Sequence, residues 1–399
     1  MNESSWTSTN LGEVTAESRK RAGNDSAYLA RTVYGVDRAI GLNPVAKYTA
    51  NSLEKYKVIE QGMFAYNPMR LNIGSIGYCS QNIQPGLVSP DYVVFECNPK
   101  KLDPGFLNYY ISSAAWSEWT SKAGVGSVRM RIYYRELARL PILLPPIPEQ
   151  CAIAEILSAL DDVIDVNCRM NDTLESTARA IFRKIFVNSE ESEEWEEKTL
   201  DDITSKITKG TTPTTLGKQF TKSGIKFIKV NSITDNHQFL TKGLDFIDEE
   251  TNTLLSRSII ENDDVLLTIA GTIGRVAKVP YYMLPANTNQ AVAIIRADKS
   301  QVLPNYIRMW LCLDDVRQEL FANVVHAVQA NLSLGIISKA KIRLPKYDRL
   351  LELFEPIDLL LDKIEHNEEE SRTLGSLRDS LLPKLMRGEV RVKDVEEIL

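Results

Sequence analysis

Apolar residues recur at seven-residue intervals in two separate stretches of the chain. The first row is Ile153, Leu160, Asn167, Leu174 and Ile181, and adding 200 to each number gives the second row, Leu353, Leu360, Asn367, Leu374 and Leu381. Apolar spacings of three and four residues that continue over several heptads predict two long helices, each with an apolar seam that is unstable in water on its own. We therefore predict that the two helices pair with each other through these rows.

Each predicted seam is interrupted by one polar residue at the same position of the row. Asn167 and Asn367 occupy equivalent positions. A polar residue in a seam lowers stability but fixes the register, because it is accommodated only opposite another polar group. The alternative is that each helix packs separately on its own globular domain.

The rest of the chain also repeats, which predicts a duplicated domain. Trp6-x4-Leu11 recurs as Trp195-x4-Leu200, Gly74-Ser-Ile-Gly77 as Gly271-Thr-Ile-Gly274, Asn108-Tyr109 as Asn305-Tyr306, and Leu144-Pro145 as Leu344-Pro345. A period near half the chain length indicates duplication rather than a short-repeat solenoid. The predicted order is a first domain over 1–146, a long helix over 147–187, a second domain over 188–345, and a second long helix with a tail over 346–399.

Short apolar runs between turn residues predict strands inside both domains. In the first domain they are 57–60, 63–66, 76–79 and 92–96, with a helix over 106–119. In the second they are 225–230, 264–269, 276–279 and 290–296, with a helix over 305–320. Residues 34–38 and 41–44 are predicted as turns. Pro356 and Pro383 are each expected to kink or end the second long helix.

Composition is that of an ordinary globular protein, with 43% hydrophobic and 25% charged residues in 399. The chain has five cysteines and no Cys-x-x-Cys motif, which favours a reduced protein. It shows neither a secretory leader pattern nor an apolar run of membrane-spanning length. We therefore predict a cytoplasmic protein. The net charge of −6 argues weakly against nucleic-acid binding. However, eight lysines and three aspartates between Lys198 and Lys242 give that stretch a charge of +5.

Motifs for catalysis or metal binding are not found. Gly210 to Gly217 resembles a phosphate loop, but six residues separate the two glycines instead of four, and Gln219 replaces the hydroxyl residue that would bind magnesium. There is no Gly-x-Ser-x-Gly and no His-Glu-x-x-His, and the three histidines lie far apart in sequence. We predict no catalytic residue and no metal site in this chain.

The order of domain, long helix, domain and long helix resembles the specificity subunit of Type I restriction–modification systems. The resemblance covers essentially the whole chain. It rests on Leu144-Pro-Pro-Ile-Pro-Glu-Gln150, on Leu377-Arg-Asp-Ser-Leu-Leu-Pro-Lys-Leu-Met-Arg-Gly388, and on the second-domain motifs Lys209-Gly-Thr-Thr-Pro213, Gly271-Thr-Ile-Gly274 and Asn289-Gln290. The first domain keeps fewer of these motifs.

This resemblance implies an α+β fold in which two tandem mixed α/β target recognition domains are separated by two long helices that form an antiparallel coiled coil. It implies that each domain reads one half of a split target in double-stranded DNA. It also implies two methyltransferase subunits docked on the helices, and restriction–translocase subunits that join them. S-adenosylmethionine, ATP and Mg²⁺ are expected on those partner subunits, and no membrane is involved.

Candidate DNA-binding residues are polar or basic and lie in predicted loops, because base edges are read by amides, hydroxyls and arginines and phosphates by Lys and Arg. In the second domain they are Lys209, Thr211, Thr212, Lys226, Lys229, Asn231 and Arg275, with Asn289 and Gln290 as base readers. In the first domain they are Arg70, Asn72, Ser75, Arg129 and Arg131. Two other functions stay open: an adaptor with two globular heads that binds only proteins, which the negative net charge favours, and an enzyme with an unrecognised site.

Overall fold

The chain forms two compact units. The computed structural model describes residues 6–38, 40–44, 52–122, 131–322 and 331–396. The first unit consists of Met1–Asn167 with Glu370–Leu399, and the second consists of Cys168–Glu369. Each unit therefore combines one globular part with a segment of both long helices.

In the described residues, the first globular part has ten short strands and five short α-helices, which precede the long helix. The strands are β1 (Thr7–Asn10), β2 (Thr15–Ser18), β3 (Val33–Asp37), β4 (Gly41–Pro44), β5 (Lys57–Ile59), β6 (Met63–Tyr66), β7 (Ile76–Tyr78), β8 (Gly86–Val88), β9 (Val93–Cys97) and β10 (Pro141–Leu144). The helices are α1 (Leu11–Val14), α2 (Ser26–Leu29), α3 (Pro104–Ile111), α4 (Ala114–Lys122) and α5 (Tyr134–Leu137). The first long helix, α6 (Ile147–Phe182), continues as a π-helical turn, Arg183–Val187.

In the described residues, the second globular part has nine short strands and four short α-helices. Its strands are β11 (Glu196–Thr199), β12 (Thr204–Lys209), β13 (Ile225–Ile228), β14 (Asp245–Ile247), β15 (Val265–Thr268), β16 (Val276–Lys278), β17 (Ala286–Thr288), β18 (Val292–Ala297) and β19 (Lys341–Leu344). Its helices are α7 (Glu249–Leu254), α8 (Pro304–Leu311), α9 (Asp314–Phe321) and α10 (Leu334–Ser338). The second long helix is α11 (Tyr347–Met386), and α12 (Val392–Glu396) follows it.

Strand order shows that the two globular parts share one topology. A four-stranded sheet has the order β2-β9-β6-β7 in the first unit and β12-β18-β15-β16 in the second. A second sheet has the order β4-β3-β8-β5 in the first and β14-β13-β17 in the second, and both contain one parallel pair, β3 with β8 and β13 with β17. A two-stranded ribbon, β1-β10 or β11-β19, precedes each long helix. The predicted fold class and domain duplication are confirmed.

Successive side chains of a strand point to opposite faces of its sheet. The sheets β2-β9-β6-β7 and β12-β18-β15-β16 therefore each have a core on both faces. In β6, Phe64 and Tyr66 pack against α3 and the long helices, whereas Ala65 faces the second sheet. In β15, Leu267 faces the helices and Leu266 faces the second sheet. The long helices therefore cover one face of the sheet β2-β9-β6-β7 and one face of the sheet β12-β18-β15-β16.

Both long helices contribute to the core of each unit, and they run antiparallel within it. In the first unit Leu157 of α6 and Leu385 of α11 share one core. In the second, Phe182 of α6 packs against Phe354 of α11, with ring centroids 6.3 Å apart. The predicted pairing of the two helices is confirmed in each unit.

The short helices and one hairpin differ from their predictions. The helix predicted over 106–119 is α3 and α4, broken where Ser113 Oγ accepts from the backbone N–H of Trp116 and caps α4. The helix predicted over 305–320 is likewise α8 and α9. Residues 34–38 and 41–44, predicted as turns, are mostly the strands β3 and β4. Tertiary pairing of β3 with β8 overrides the local preference of the glycines for turns.

Neither Pro356 nor Pro383 ends the second long helix, and a kink at either residue stays a prediction. Helix α11 continues through both residues to Met386. A proline in a helix leaves the carbonyl four residues earlier without its usual donor. Glu352, which carries this carbonyl for Pro356, is exposed, so water can replace the missing donor.

Within the described ranges, no helix combines the length and the apolar character needed to cross a bilayer. The five cysteines are all free thiols.

Phe354→Ala tests the contribution of α11 to the second unit. Phe354 is fully buried among Phe182, Phe186 and Tyr306, so its truncation is expected to lower the free energy of unfolding by about 3–5 kcal/mol. Urea denaturation followed by circular dichroism measures this. Leu359→Ala is the matched control on the same helix, because Leu359 is 64% exposed and its loss should change little. Equal midpoints for the two variants would contradict the packing.

Candidate nucleic-acid interface

Several strands end at one edge of the second unit and place their following loops together. Lys209 ends β12 opposite Ala293 of β18, and Thr268 ends β15 opposite Val292. The parallel strands β13 and β17 end side by side at Ile228 and Thr288, and β17 leads directly into β18. The loops 209–212, 229–231, 269–275 and 289–291 therefore share this edge, which we call loop edge 2.

The loop after β12 lies directly against the turn after β17. The N–H of Gly210 donates to Asn289 O at 3.1 Å, and the hydroxyl of Thr212 donates to Gln290 Oε1 at 2.6 Å. A Cβ on Gly210 would lie 1.7 Å from Thr288 O, so only glycine allows this approach. The structure thus brings together Lys209, Thr211, Thr212, Asn289 and Gln290. Their hydroxyl and amide groups are suited to hydrogen bonding with base edges.

The remaining predicted residues near β13 have different placements. Lys229 follows the end of β13, pairs with Asp245 at 2.5 Å, and lies 4.1 Å from the ring centroid of Phe220. Asn231 is exposed in the next turn. Lys226 lies earlier in β13, where its Nζ donates to Leu284 O at 3.2 Å. Lys229 and Asn231 therefore belong to loop edge 2, whereas Lys226 does not reach it.

Arg275 is held in a fixed orientation next to the loop 269–274. Its Nε and Nη2 donate to the two carboxylate oxygens of Asp235 at 2.7 and 3.1 Å, and its Nη1 donates to Ile233 O at 2.8 Å. A bidentate pair of this kind orients a guanidinium strongly. Arg275 and the segment 233–238 therefore form one connected structure.

This segment packs on a buried charge cluster at the first long helix. Glu175 of α6 accepts from Arg308 at 2.8 Å and from Arg179 at 3.1 Å. Burial alone would raise the pKa of Glu175, but the two guanidinium groups hold it below its usual value. Burial and the positive charges of Arg179 and Arg308 lower the pKa of His237 from 6.5 to about 4. His237 is therefore neutral near pH 7, and its Nδ1 lies 2.8 Å from Val276 O.

The first unit has an equivalent edge, which we call loop edge 1. Ser18 ends β2 opposite Val94 of β9, and Tyr66 ends β6 opposite Val93. Loops 19–22 and 67–75 follow these strand ends. A cavity of about 870 Å³ opens beside loop 67–75, and its lining includes Arg38, Asn72 and Asn108.

Predicted residues of the first domain are only partly brought to this edge. Arg70 and Asn72 lie in loop 67–75, with Arg70 exposed. Arg131 lies next to them, because the N–H of Ile132 donates to Pro68 O at 2.9 Å. Ser75 is 4% exposed and donates its hydroxyl to Val36 O, a placement that argues against direct contact with DNA. The prediction for Arg129 lies outside the described residues.

Sequence reasoning missed a basic cluster on loop edge 1. Its members are Arg19, Lys20, Arg21, Arg31 and Lys57. Lys20 and Arg31 lie 4.8 and 4.6 Å from the ring centroid of Tyr28. The backbones of Arg21 and Lys57 form an isolated antiparallel β-bridge. Burial lowers the pKa of Lys57, and the charges of Arg21 and Arg19 lower it further, whereas Glu17 acts to raise it. The sequence signal for this cluster was the run of three basic residues, Arg19-Lys20-Arg21. Strand order shows that this run follows β2 in the first unit as Gly210-Thr-Thr212 follows β12 in the second.

The predicted helix-pairing residues are all buried or partly buried on the two long helices. Buried members are Ile153, Leu160, Asn167, Asn367 and Leu381; partly buried members are Leu174, Ile181, Leu353, Leu360 and Leu374. Asn167 Nδ2 donates to Glu370 at 2.9 Å and to Ser371 at 3.2 Å. Asn367 Nδ2 donates to Asn171 at 2.8 Å. Each seam asparagine therefore has a polar partner on the opposite helix.

Comparison with known proteins agrees with this architecture. Residues 4–176 and 192–370 match a family described as the Type I restriction modification DNA specificity domain. The chain belongs to this family. Two matches in tandem confirm the predicted specificity subunit with two recognition domains, and they favour DNA recognition over the protein-only adaptor. The role of the family is DNA recognition rather than catalysis.

Relatives of the specificity family match most of the chain. The MjaIX specificity subunit of Methanocaldococcus jannaschii is 24% identical, with 76% of each chain covered. The HindI specificity subunit of Haemophilus influenzae is 22% identical, with 84% of this chain and 88% of the relative covered. The crystal structure of an S subunit from M. genitalium shows the same fold, with a TM-score of 0.58 at 16% identity over 96% of this chain and 97% of that one.

Acid titration tests the buried environment of His237. Because the pKa of His237 is lower in the folded state, the unfolded state binds more protons between pH 6.5 and 4, and stability falls as the pH drops through this window. The loss from this group is about 3 kcal/mol by linkage. His237→Asn should remove this part of the pH dependence, because asparagine tolerates the positive φ of 64° at this position.

Urea midpoints measured from pH 7.5 to 4 for both proteins provide the comparison. His366→Asn is the control, since His366 is exposed on α11. Parallel pH profiles for the wild type and His237→Asn would contradict a neutral, buried His237.

Proposed function

We propose that this chain is the sequence-specific DNA-recognition subunit of a Type I restriction–modification complex, in which each globular part reads one half of a bipartite, asymmetric target. The observation that carries the proposal is the repeated sheet with its loop edge. Both units place loops at the same edge of the same sheet, but the residues in these loops differ. Equal backbones with different side chains are suited to two half-sites of different sequence.

The chemistry of the two edges supports contacts with both phosphates and bases. Phosphate contacts need exposed Lys and Arg, which loop edge 1 offers in Arg19, Lys20 and Arg21. Base reading needs amides, hydroxyls or an oriented guanidinium, which loop edge 2 offers in Gln290, Thr212 and Arg275. The net charge of −6 does not oppose this, because basic residues are concentrated locally, in Arg19-Lys20-Arg21 and in the stretch 198–242.

In the proposed complex the paired helices hold the two recognition domains at a set spacing, and two methyltransferase subunits dock on them. Val163, Val166 and Met170 of α6 are 41%, 46% and 40% exposed, and they lie at spacings that share one helix face. Such a row of exposed apolar residues supports a protein partner. Restriction–translocase subunits complete the complex. S-adenosylmethionine, ATP and Mg²⁺ are expected to be bound by those partner subunits and not by this chain.

DNA binding by the chain assembled with its methyltransferase subunits tests the proposal. Combined Arg19→Ala, Lys20→Ala and Arg21→Ala substitutions are expected to weaken binding to every duplex. They should also reduce the slope of log K against log salt concentration by about one for each phosphate that is no longer neutralised. Gln290→Ala should instead relax the preference at one base position, by about 1–3 kcal/mol. Fluorescence anisotropy on duplexes that carry the methylated motif of the host measures both effects.

Matched controls lie at the opposite edges of the same sheets. The control variants are Lys100→Ala and Lys299→Ala. Lys100 follows the end of β9, and Lys299 follows the end of β18. Both lysines are exposed, so each control removes one positive charge without touching a loop edge, and its effect is compared with that of the combined variant per charge removed. If the controls weaken binding as much as the loop-edge variants do, the assignment of the edges fails. If the complex binds no duplex at all, the proposed function fails.

A further inference from the structure

The ends of the two long helices carry contacts that are equivalent in position but reversed in charge. In the first unit Arg391, just after α11, donates to Glu149 at the start of α6 at 2.7 Å. In the second unit Arg349 at the start of α11 pairs with Glu191, just after α6, at 3.4 Å. The numbers differ by 200 at both positions, so glutamate and arginine have exchanged places between the two copies.

A second pair of equivalent positions is charged in the first unit and apolar in the second. In the first unit Asp161 of α6 accepts from Arg378 of α11 at 2.5 Å, and Tyr109 donates to the same carboxylate at 2.7 Å. The equivalent residues in the second unit are Leu361 and Ala178, which are buried in one apolar core. One copy of the seam is therefore ionic at this position and the other copy is apolar.

These differences matter when two copies of the chain meet. If α6 paired with α6 of a second copy in the same antiparallel geometry, Glu149 would face Glu191, and Asp161 would face Ala178. If α11 paired with α11, Arg349 would face Arg391, and Arg378 would face Leu361. Like charges repel, and a charge against an apolar residue has no partner.

We propose that these contacts make helix pairing selective, so that α6 pairs with α11 of its own chain and pairing between identical helices of two copies is disfavoured. The apolar rows cannot supply this selectivity, because they are similar in α6 and α11. Selectivity is needed during synthesis, when α6 is complete before α11 exists and its apolar seam has no partner. The inference does not depend on DNA binding.

Exchanging charges in the full-length chain tests the proposal. The combined variant Glu191→Arg/Arg391→Glu keeps the net charge but makes both contacts within the chain repulsive and both contacts between identical helices attractive. Its dimer dissociation constant should fall at least about tenfold relative to the wild type. Adding Glu149→Arg and Arg349→Glu restores opposite charges within each unit and should return self-association to the wild-type level. Sedimentation velocity over a range of concentrations measures this.

A second measurement concerns the contact in the first unit and keeps the test decisive if the combined variant folds poorly. Arg391→Glu in the full-length chain places two glutamates together, as pairing between two α6 helices would, and should lower the melting temperature by about 2–4 °C. Adding Glu149→Arg should restore it. The control is Arg387→Glu, the same charge change at a tail arginine that pairs with its neighbour Glu389. Unchanged self-association of the Glu191→Arg/Arg391→Glu variant, or equal melting temperatures for Arg391→Glu and Arg387→Glu, would overturn the proposal.

Discussion

The pairing of α6 with α11 is the constraint on which the rest of the structure depends. In each globular part, one sheet, β2-β9-β6-β7 or β12-β18-β15-β16, has a face that the short elements do not cover alone. Segments of both long helices cover this face. In the first unit Leu157 and Leu385 enter the same core, although more than half of the sequence separates them. The first unit therefore cannot form from one continuous part of the chain, and the second is complete only when Glu369 has been reached. Folding of either recognition domain requires that the two helices find each other.

Apolar packing alone would leave the alignment of two such long helices poorly determined, because Leu and Ile rows tolerate a shift by one heptad. The polar residues in the seams remove this freedom. Asn167 meets Glu370 and Ser371, and Asn171 meets Asn367, so a shift would bury several hydrogen-bonding groups without partners. The asparagines lower the stability that an all-apolar seam would give, and in return they select one register.

Features that depend on local periodicity could be predicted from the sequence. The seam rows and the presence of two long helices follow from a pattern that repeats every seven residues. The duplicated topology follows from repeated motifs such as Gly74-Ser-Ile-Gly77 and Gly271-Thr-Ile-Gly274. The hairpin β3–β4 could not be predicted, because its glycines favour turns and its stabilising partner β8 lies about 50 residues later in the chain.

The candidate site was predictable only where a motif identified it. Lys209, Thr212, Asn289 and Gln290 were found from their motifs, but the contact between them depends on how β12 and β18 pair. Arg19, Lys20 and Arg21 were missed, because their equivalence to the loop after β12 emerges only from strand order. The bidentate partner of Arg275, Asp235, lies 40 residues away and carries no sequence signal.

Duplication followed by divergence explains why the two loop edges share a backbone but not a chemistry. At loop edge 2, glycine at position 210 lets two loops touch, and Thr212 and Gln290 hold each other through a hydroxyl–amide hydrogen bond. At loop edge 1, the corresponding segment carries three charged side chains, and the ring of Tyr28 in α2 lies close to Lys20 and Arg31. In the proposed complex the first domain would therefore contribute more of the salt-dependent affinity for phosphates, and the second more of the base discrimination. The two sheets stay alike because their cores must be covered by the same pair of helices, whereas the loops are free of that constraint and can diverge.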